Sequence, residues 1–250
     1  MMRNCLISAM IVLVINFWSI HYSYAELISK EILHRADESR GNLEGVKWRV
    51  CINSIESDRQ QKRSLNVQAR AYDFLGSLIS PPKVKGQKLL MLDHSMWFVK
   101  PGLRKSVPVS PRQKLVGGAS YGDIAATNYA NDYEPTPLDD EAVDDELCYV
   151  FNLKAIHKNA TYNFIKYWIS KNRLVGVKAE FFTVSGKMFK MARFEYENVV
   201  KLRDEPRPFI SKMVITDAFI NSNVTTLNFS EPILVKVPDS TFNLNLLMMR

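Results

Sequence analysis

The sequence predicts a mainly β protein (α+β): a single large antiparallel sheet of about ten strands, curled into an incompletely closed β-barrel, with an N-terminal helix and a mid-chain helical lid. Three observations predict it. From Val46 onward, apolar and polar residues alternate with period two in successive runs separated by turn residues. One helical stripe precedes these runs, and one glycine-bearing stretch without alternation interrupts them. No internal repeat or flexible linker divides the chain, so residues 26–250 read as one domain.

Taken in order, residues 1–25 stand apart from the fold. Met1 to Asn4 carries one positive charge, Cys5 to Ile20 is apolar but for Ser8, Asn16 and Ser19, and Ser23-Tyr24-Ala25 supplies a small-x-small cleavage pattern. The segment reads as a signal peptide cut before Glu26. An uncleaved anchor is the competing reading, but the apolar run is short for a bilayer and no basic stop signal follows. Glu26 to Arg40 reads as a helix, with Leu27, Ile28, Ile32, Leu33 and Ala36 on one stripe and Gly41 ending it. The period changes to two where Trp48, Val50 and Ile52 alternate with Lys47, Arg49 and Cys51, and again across Leu65 to Ala71. Pro81-Pro82 breaks the chain. Gln87–Leu92 and Ser95–Lys100 make strands around a turn at Asp93-His94, and Pro101-Gly102 turns the chain toward a short strand near Val107. Ser110 to Asp132 loses alternation, holds three glycines and carries helix-start signals at Ser110-Pro111 and Ser120. Strands resume at Tyr149–Ala155, Phe164–Ile169, Val175–Thr183, Met188–Tyr196, Ile210–Ala218 and Val224–Phe229.

So many twisted strands cannot lie flat, so the sheet must coil. Its concave face is then filled by the N-terminal helix and the 110–132 insert, which are short for the task. The reading is a partly open barrel with room for an apolar guest. Alternation selects the inward positions: Trp48 and Val50, Leu90 and Leu92, Trp97 and Val99, Phe151 and Leu153, Phe194, Met213 and Ile215, Leu227 and Phe229. A filled core is the alternative to a ligand-lined cavity. In the insert, Arg112, Asp123 and Asn128 beside apolar Leu115, Ile124 and Tyr129 suit a movable lid; the alternative is a plain corner of the sheet. An apolar guest of sixteen carbons gains on the order of 12 kcal/mol on full burial, at about 0.8 per methylene. Repacking of the lid into the emptied space offsets that gain and permits release.

With 46% hydrophobic and 24% charged residues and a mean hydropathy of -0.14, the chain is neither disordered nor a polytopic membrane protein. Loss of Arg3 with the signal brings the formal charge from +7 to +6, but Lys and Arg are scattered with no basic block. That pattern gives no nucleic-acid partner and fits weak attraction to anionic headgroups or a partner protein. His34, His94 and His157 fall on the helix and two turns with no metal spacing, and no GxSxG or cysteine-nucleophile signature occurs. No enzyme, metal or cofactor is therefore expected. Asp93-His94-Ser95 contains triad residue types, but chain neighbours rarely take triad geometry. The acids at Asp139–Glu141 and Asp144–Glu146 lack the spaced oxygens and glycine of a calcium loop and read as a solvated turn. Cys51 and Cys148 permit a disulfide in an oxidising compartment, or stand as two separate buried thiols.

Several runs occur together in order: GQKLLML at Gly86–Leu92, MWFVKPGLR at Met96–Arg104, SPRQKL at Ser110–Leu115, GDIAATNY at Gly122–Tyr129, VKAEFF at Val177–Phe182, and Ser185-Gly186-Lys187. Together they resemble the outer-membrane lipoprotein-sorting protein family, a branch of the LolA/LolB-like superfamily, over nearly all of residues 26–250. The resemblance implies an incomplete β-barrel closed by helices acting as a lid, located in the periplasm. It further implies a carrier or chaperone that binds the acyl chains of lipoproteins or related lipids for transfer toward the outer membrane. An inner-membrane exporter and an outer-membrane acceptor would be its partners. The alternative is a non-enzymatic accessory protein with a self-filled cavity, docking onto an inner-membrane transporter or envelope complex.

Overall fold

The structure, a computed structural model, describes residues 27–249 other than 58, 104 and 126; the expected signal segment lies outside the described residues. Helix α1 (residues 27–38) turns Leu33 and Ala36 inward, and Gly41 at φ 111° lets the chain reverse behind it. The alternating runs then form β1 (Val46–Glu56), β2 (Arg59–Arg70), β3 (Asp73–Ser80), β4 (Lys88–Leu92), β5 (Ser95–Val99) and β6 (Val107–Val109), a meander in which each pairs with the next. The insert holds a hairpin of β7 (Lys114–Val116) and β8 (Ala119–Ser120), then the single-turn helices α2 (Gly122–Ala125) and α3 (Tyr129–Asp132). There follow β9 (Tyr133–Val143), β10 (Glu146–Ala155), β11 (Phe164–Ser170), β12 (Gly176–Phe182), β13 (Met188–Glu195), a separate hairpin of β14 (Asn198–Leu202) and β15 (Glu205–Phe209), then β16 (Lys212–Asp217), β17 (Val224–Leu234) and the short helix α4 (Leu244–Met248).

Thirteen strands make one antiparallel sheet in the order β6-β5-β4-β3-β2-β1-β17-β16-β13-β12-β11-β10-β9. The first and last strands meet at its centre, and among the described residues β6 and β9 are left as free edges. The sheet has more strands than the ten or so expected because β3 and β9 do not alternate cleanly. Asp73–Ser80 buries residues in consecutive runs, and Tyr133–Val143 carries two prolines and a block of acids.

Of the acidic run, Asp139–Glu141 lie on an exposed edge strand and not in a turn, while Asp144 and Asp145 make the solvent-exposed turn of its hairpin. Pro135 and Pro137 are tolerated there because an edge strand leaves half its N–H groups unpaired. Lys166 Nζ (2.9 Å) and Trp168 Nε1 (2.8 Å) donate to Glu141, and Arg173 donates to Glu146 at 2.7 and 3.0 Å. Asp140 pairs with Lys171 and Asp144 with Arg193. Asp144 and Asp145, at φ 47° and 64°, form the turn itself. Charges along a free edge discourage it from pairing with another chain.

A second correction concerns β4 and β5. Leu90, Leu92 and Trp97, expected inside, lie on the outer face in a cluster with Leu75, Val237, Phe242 and Leu247. Val99 lines a surface recess beside Leu247. The inward residues are Leu89, Met91 and Met96. Because Leu89-Leu90-Met91-Leu92 is apolar throughout, alternation cannot choose a face; the C-terminal segment covers the outer one and makes both apolar. Arg70 holds that segment down, donating to the Val237 carbonyl (3.2 Å) and Asp239 (2.6 Å), with its guanidinium 5.2 Å from the Phe242 ring centroid. Cys51 on β1 and Cys148 on β10 are separate free thiols with five strands between them.

Candidate functional site

Because β6 and β9 are the two free edges, residues 110–132 must cross the slit of the open barrel, and they do so by folding inward. Val116, Ala119, Ile124, Ala125, Tyr129 and Ala130 of the insert join one buried cluster with nine of the sequence-selected inward residues: Trp48, Val50, Phe151, Leu153, Phe194, Met213, Ile215, Leu227 and Phe229. Leu115 packs against the same cluster from its margin. Leu33 and Ala36 of α1, with Val200 and Phe209 of the β14–β15 hairpin, fill the remaining volume. The concave face expected to hold spare room is therefore occupied in this structure. The hairpin is a third filler that the sequence reading lacked, and aromatic bulk does the rest: Tyr129 meets Tyr133 and Tyr167 edge-on at 5.3 and 5.4 Å.

The insert is seated by polar ties. Its hairpin tip, Gly117-Gly118, lies over the centre of the sheet, where the Gly118 N–H donates to Thr225 Oγ1 at 2.8 Å. Thr225 donates in turn to Ser54 Oγ at 3.2 Å, and both hydroxyl residues are 1% exposed. Behind the tip, Asp123 accepts three hydrogen bonds: from Tyr162 Oη (2.6 Å), from the Ser120 N–H (2.7 Å) and from Lys190 Nζ (2.8 Å). Lys190 also donates to the Gly118 carbonyl at 3.0 Å. It was not among the selected positions, yet it shares the inward parity of Ala192 and Phe194, and a charge at a core position of an alternating strand is the signal that finds it.

At the rim, Arg112 donates to the carbonyls of Ala160 (2.9 Å) and Lys158 (3.3 Å) and to Asn163 Oδ1 (3.1 Å). Asn128 is buried and accepts from Asn131 Nδ2 at 2.9 Å. A recess of about 530 Å3 opens here between α1, the β2–β3 turn, Asn128, Asn131 and Arg203. The insert is also tied to α1 and the turn that follows it: Arg40 of the turn lies over the rings of Tyr129 (4.7 Å) and Phe194 (4.9 Å), and the Ala130 N–H donates to Asp37 Oδ2 at 2.8 Å.

Asp37 is fully buried, and its Oδ1 has no hydrogen-bond partner among the described residues. Burial pushes its pKa well above the usual carboxylate range, against the pull of the Ala130 bond and Arg40 and helped by nearby Asp132. The folded state therefore holds the proton more tightly than the unfolded chain. The contribution to stability is complete below the unfolded value of about 3.9 and is lost as pH rises through the folded value. Asp37→Asn retains an acceptor for Ala130 without the buried charge. Denaturant unfolding at about pH 4 and about pH 8 is expected to show the variant gaining on the parent as pH rises. A variant that loses ground at the higher pH contradicts this account.

A family model described only as an uncharacterized protein matches residues 73–249. No curated protein matches the chain. Among solved structures, a LolA superfamily protein from Nitrosomonas europaea is 30% identical at a TM-score of 0.76, the match covering 86% of this chain and 97% of that one. A domain from Vibrio parahaemolyticus named for outer membrane lipoprotein sorting shares the fold at 19% identity and a TM-score of 0.73, with 86% and 97% covered. A DUF1329 family protein from Desulfovibrio piger does so at 16% identity and 0.74, with 89% and 98% covered.

Proposed function

The chain belongs to the LolA superfamily, and we propose that it is an exported, non-enzymatic carrier working in the periplasm. It takes up the acyl chains of a lipoprotein or related lipid in the interior of the open barrel, for transfer toward the outer membrane. An inner-membrane exporter supplies the cargo and an outer-membrane acceptor receives it. One observation carries this reading. Residues 110–132 fill the interior with apolar side chains, yet among the described residues the β7–β8 hairpin pairs only with itself, so its withdrawal breaks no hydrogen-bond ladder of the thirteen-stranded sheet. The insert occupies the volume a guest would take, and the guest's burial compensates for the apolar contacts the insert gives up.

A reversible pin tests the gate. A Cβ on Gly118 would lie 4.0 Å from Ile215 Cβ, inside the range that a disulfide bridges. In a background with Cys51 and Cys148 replaced by serine, Gly118→Cys with Ile215→Cys is expected to block uptake of a fluorescent fatty acid when oxidised and restore it when reduced. Equal uptake in both redox states removes the gate.

The filled interior favours a second reading: an accessory protein that docks onto a transporter or envelope complex and never opens. Native mass spectrometry separates the two. Lipid that co-purifies with the parent and is lost in a folded Phe151→Glu variant supports the carrier, whereas lipid-free protein from lipid-replete cells supports the accessory role.

A further inference from the structure

We propose that His94, Asp132 and His157 form a binding site for a divalent transition-metal ion of the zinc type, placed to clasp the insert to both halves of the sheet. The three residues are far apart in sequence. Asp93, at φ 52°, makes the β4–β5 turn that carries His94; Asp132 ends α3; His157 follows β10. Their ligand atoms all lie within 4.8 Å of one another. The imidazole centroids are 4.6 Å apart with the rings tilted by 34°, and His94 Nδ1 is 3.5 Å from Asp132 Oδ1. That oxygen is buried without a hydrogen-bond partner among the described residues, on a side chain 8% exposed. A narrow recess lined by Tyr72, Asp93, His94, Asn128, Asp132 and Asn159 leads to it.

Two imidazoles and one carboxylate with coordination positions left open suit zinc-like ions and not magnesium or calcium, which take oxygen ligands. Metal bonds of about 2.0–2.2 Å set ligand atoms roughly 3–4 Å apart, so the group must draw in by about 1 Å. His157 is exposed, so its ring has room to swing. The other groups are positioned already. His94 Nε2 lies 3.6 Å from Asp93 Oδ1, just outside hydrogen-bond range, so a small shift brings a carboxylate onto the far nitrogen, where it would fix the tautomer of a ligating imidazole. Tyr72 packs edge-on to the His94 ring at 5.4 Å. The Ile156 N–H donates to the Asp132 carbonyl at 2.9 Å, which seats the chain leading to His157 beside the carboxylate.

His94 belongs to the β1–β6 half of the sheet, His157 to the half that begins at β9, and Asp132 to the insert between them. A bound ion ties all three. On the gate reading above, it holds the insert closed; ion binding itself does not depend on that reading. Isothermal titration of the metal-free mature chain with zinc chloride, and with cobalt chloride followed by visible absorption, tests the site. One ion per chain is expected, with magnesium and calcium failing to compete. His94→Ala and His157→Ala should weaken binding more than the 10–100-fold that loss of an outer partner costs, Asp93→Asn by about tenfold, and His34→Ala not at all. Zinc should also slow fatty-acid uptake by the parent and not by His157→Ala. Folded parent that binds no zinc, or that binds it no better than a folded His94→Ala/His157→Ala double variant, overturns the site. Zinc bound at these residues with uptake unchanged overturns the clasp alone.

Discussion

Replacing Gly117 by valine is expected to unseat residues 110–132 while leaving the thirteen-stranded sheet in place. Gly117 sits at φ 57°, and a Cβ there would lie 1.9 Å from Ser54 Oγ and 2.2 Å from Thr225 Oγ1. Ser54 and Thr225 are register partners on β1 and β17 at the middle of the sheet, so neither can retreat without breaking the central pairing. A left-handed non-glycine residue and an overpacked contact together cost roughly 2–5 kcal/mol. The insert, which shares no ladder with the main sheet, gives way first. Strand content by circular dichroism should stay at the parental level, Tm should fall by roughly 5–15 °C, and binding of an apolar dye and of fatty acid should rise. Gly118→Ala is the control: its Cβ meets the Ile215 methyl at 3.1 Å and Thr225 Oγ1 at an ordinary 3.7 Å, so a shift of a few tenths of an ångström accommodates it and each quantity should change little. A valine variant with parental Tm and dye binding would show that the tip is not clamped.

The ease of reading the fold from sequence follows how many faces of each strand are buried. On β1, β16 and β17 one face is buried and the other wetter, so the parity of Trp48, Met213 and Leu227 chooses the inside. At Leu89–Leu92 both faces are covered, the outer by Phe242 and Leu247 from more than a hundred residues away, and no local pattern reports that cover. The edge strand β9 hides for the opposite reason: its prolines and acids are what an edge permits, and edges are fixed only by the topology. The insert stands out in sequence as the stretch that loses alternation. Its seating does not, because Asp123 and Lys190, or His94 and His157, become neighbours only once the sheet has curled.

Lys190→Met is expected to produce the largest loss of stability among single substitutions at the interior ion pair. Lys190 and Asp123 have side chains 5% and 1% exposed, so removing the cation leaves a desolvated carboxylate with only Tyr162 and Ser120 as donors. Breaking one side of such a pair costs about 3–5 kcal/mol, which lowers Tm by roughly 8–15 °C in a chain of this size. Asp123→Asn is milder in geometry: its amide oxygen can accept from Ser120 and Lys190 while Tyr162 turns its hydroxyl to accept from the amide nitrogen. It still strands the Lys190 charge. The double variant Lys190→Met/Asp123→Asn buries no charge, so its cost should fall short of the summed single costs by about 1–3 kcal/mol. Denaturant unfolding of all four proteins gives that coupling. Additive costs would mean that the pair does not lock the insert to β13. Full coupling, with the single variants taking up fatty acid faster than the double, would identify this ion pair as the latch on which the insert's closed position depends.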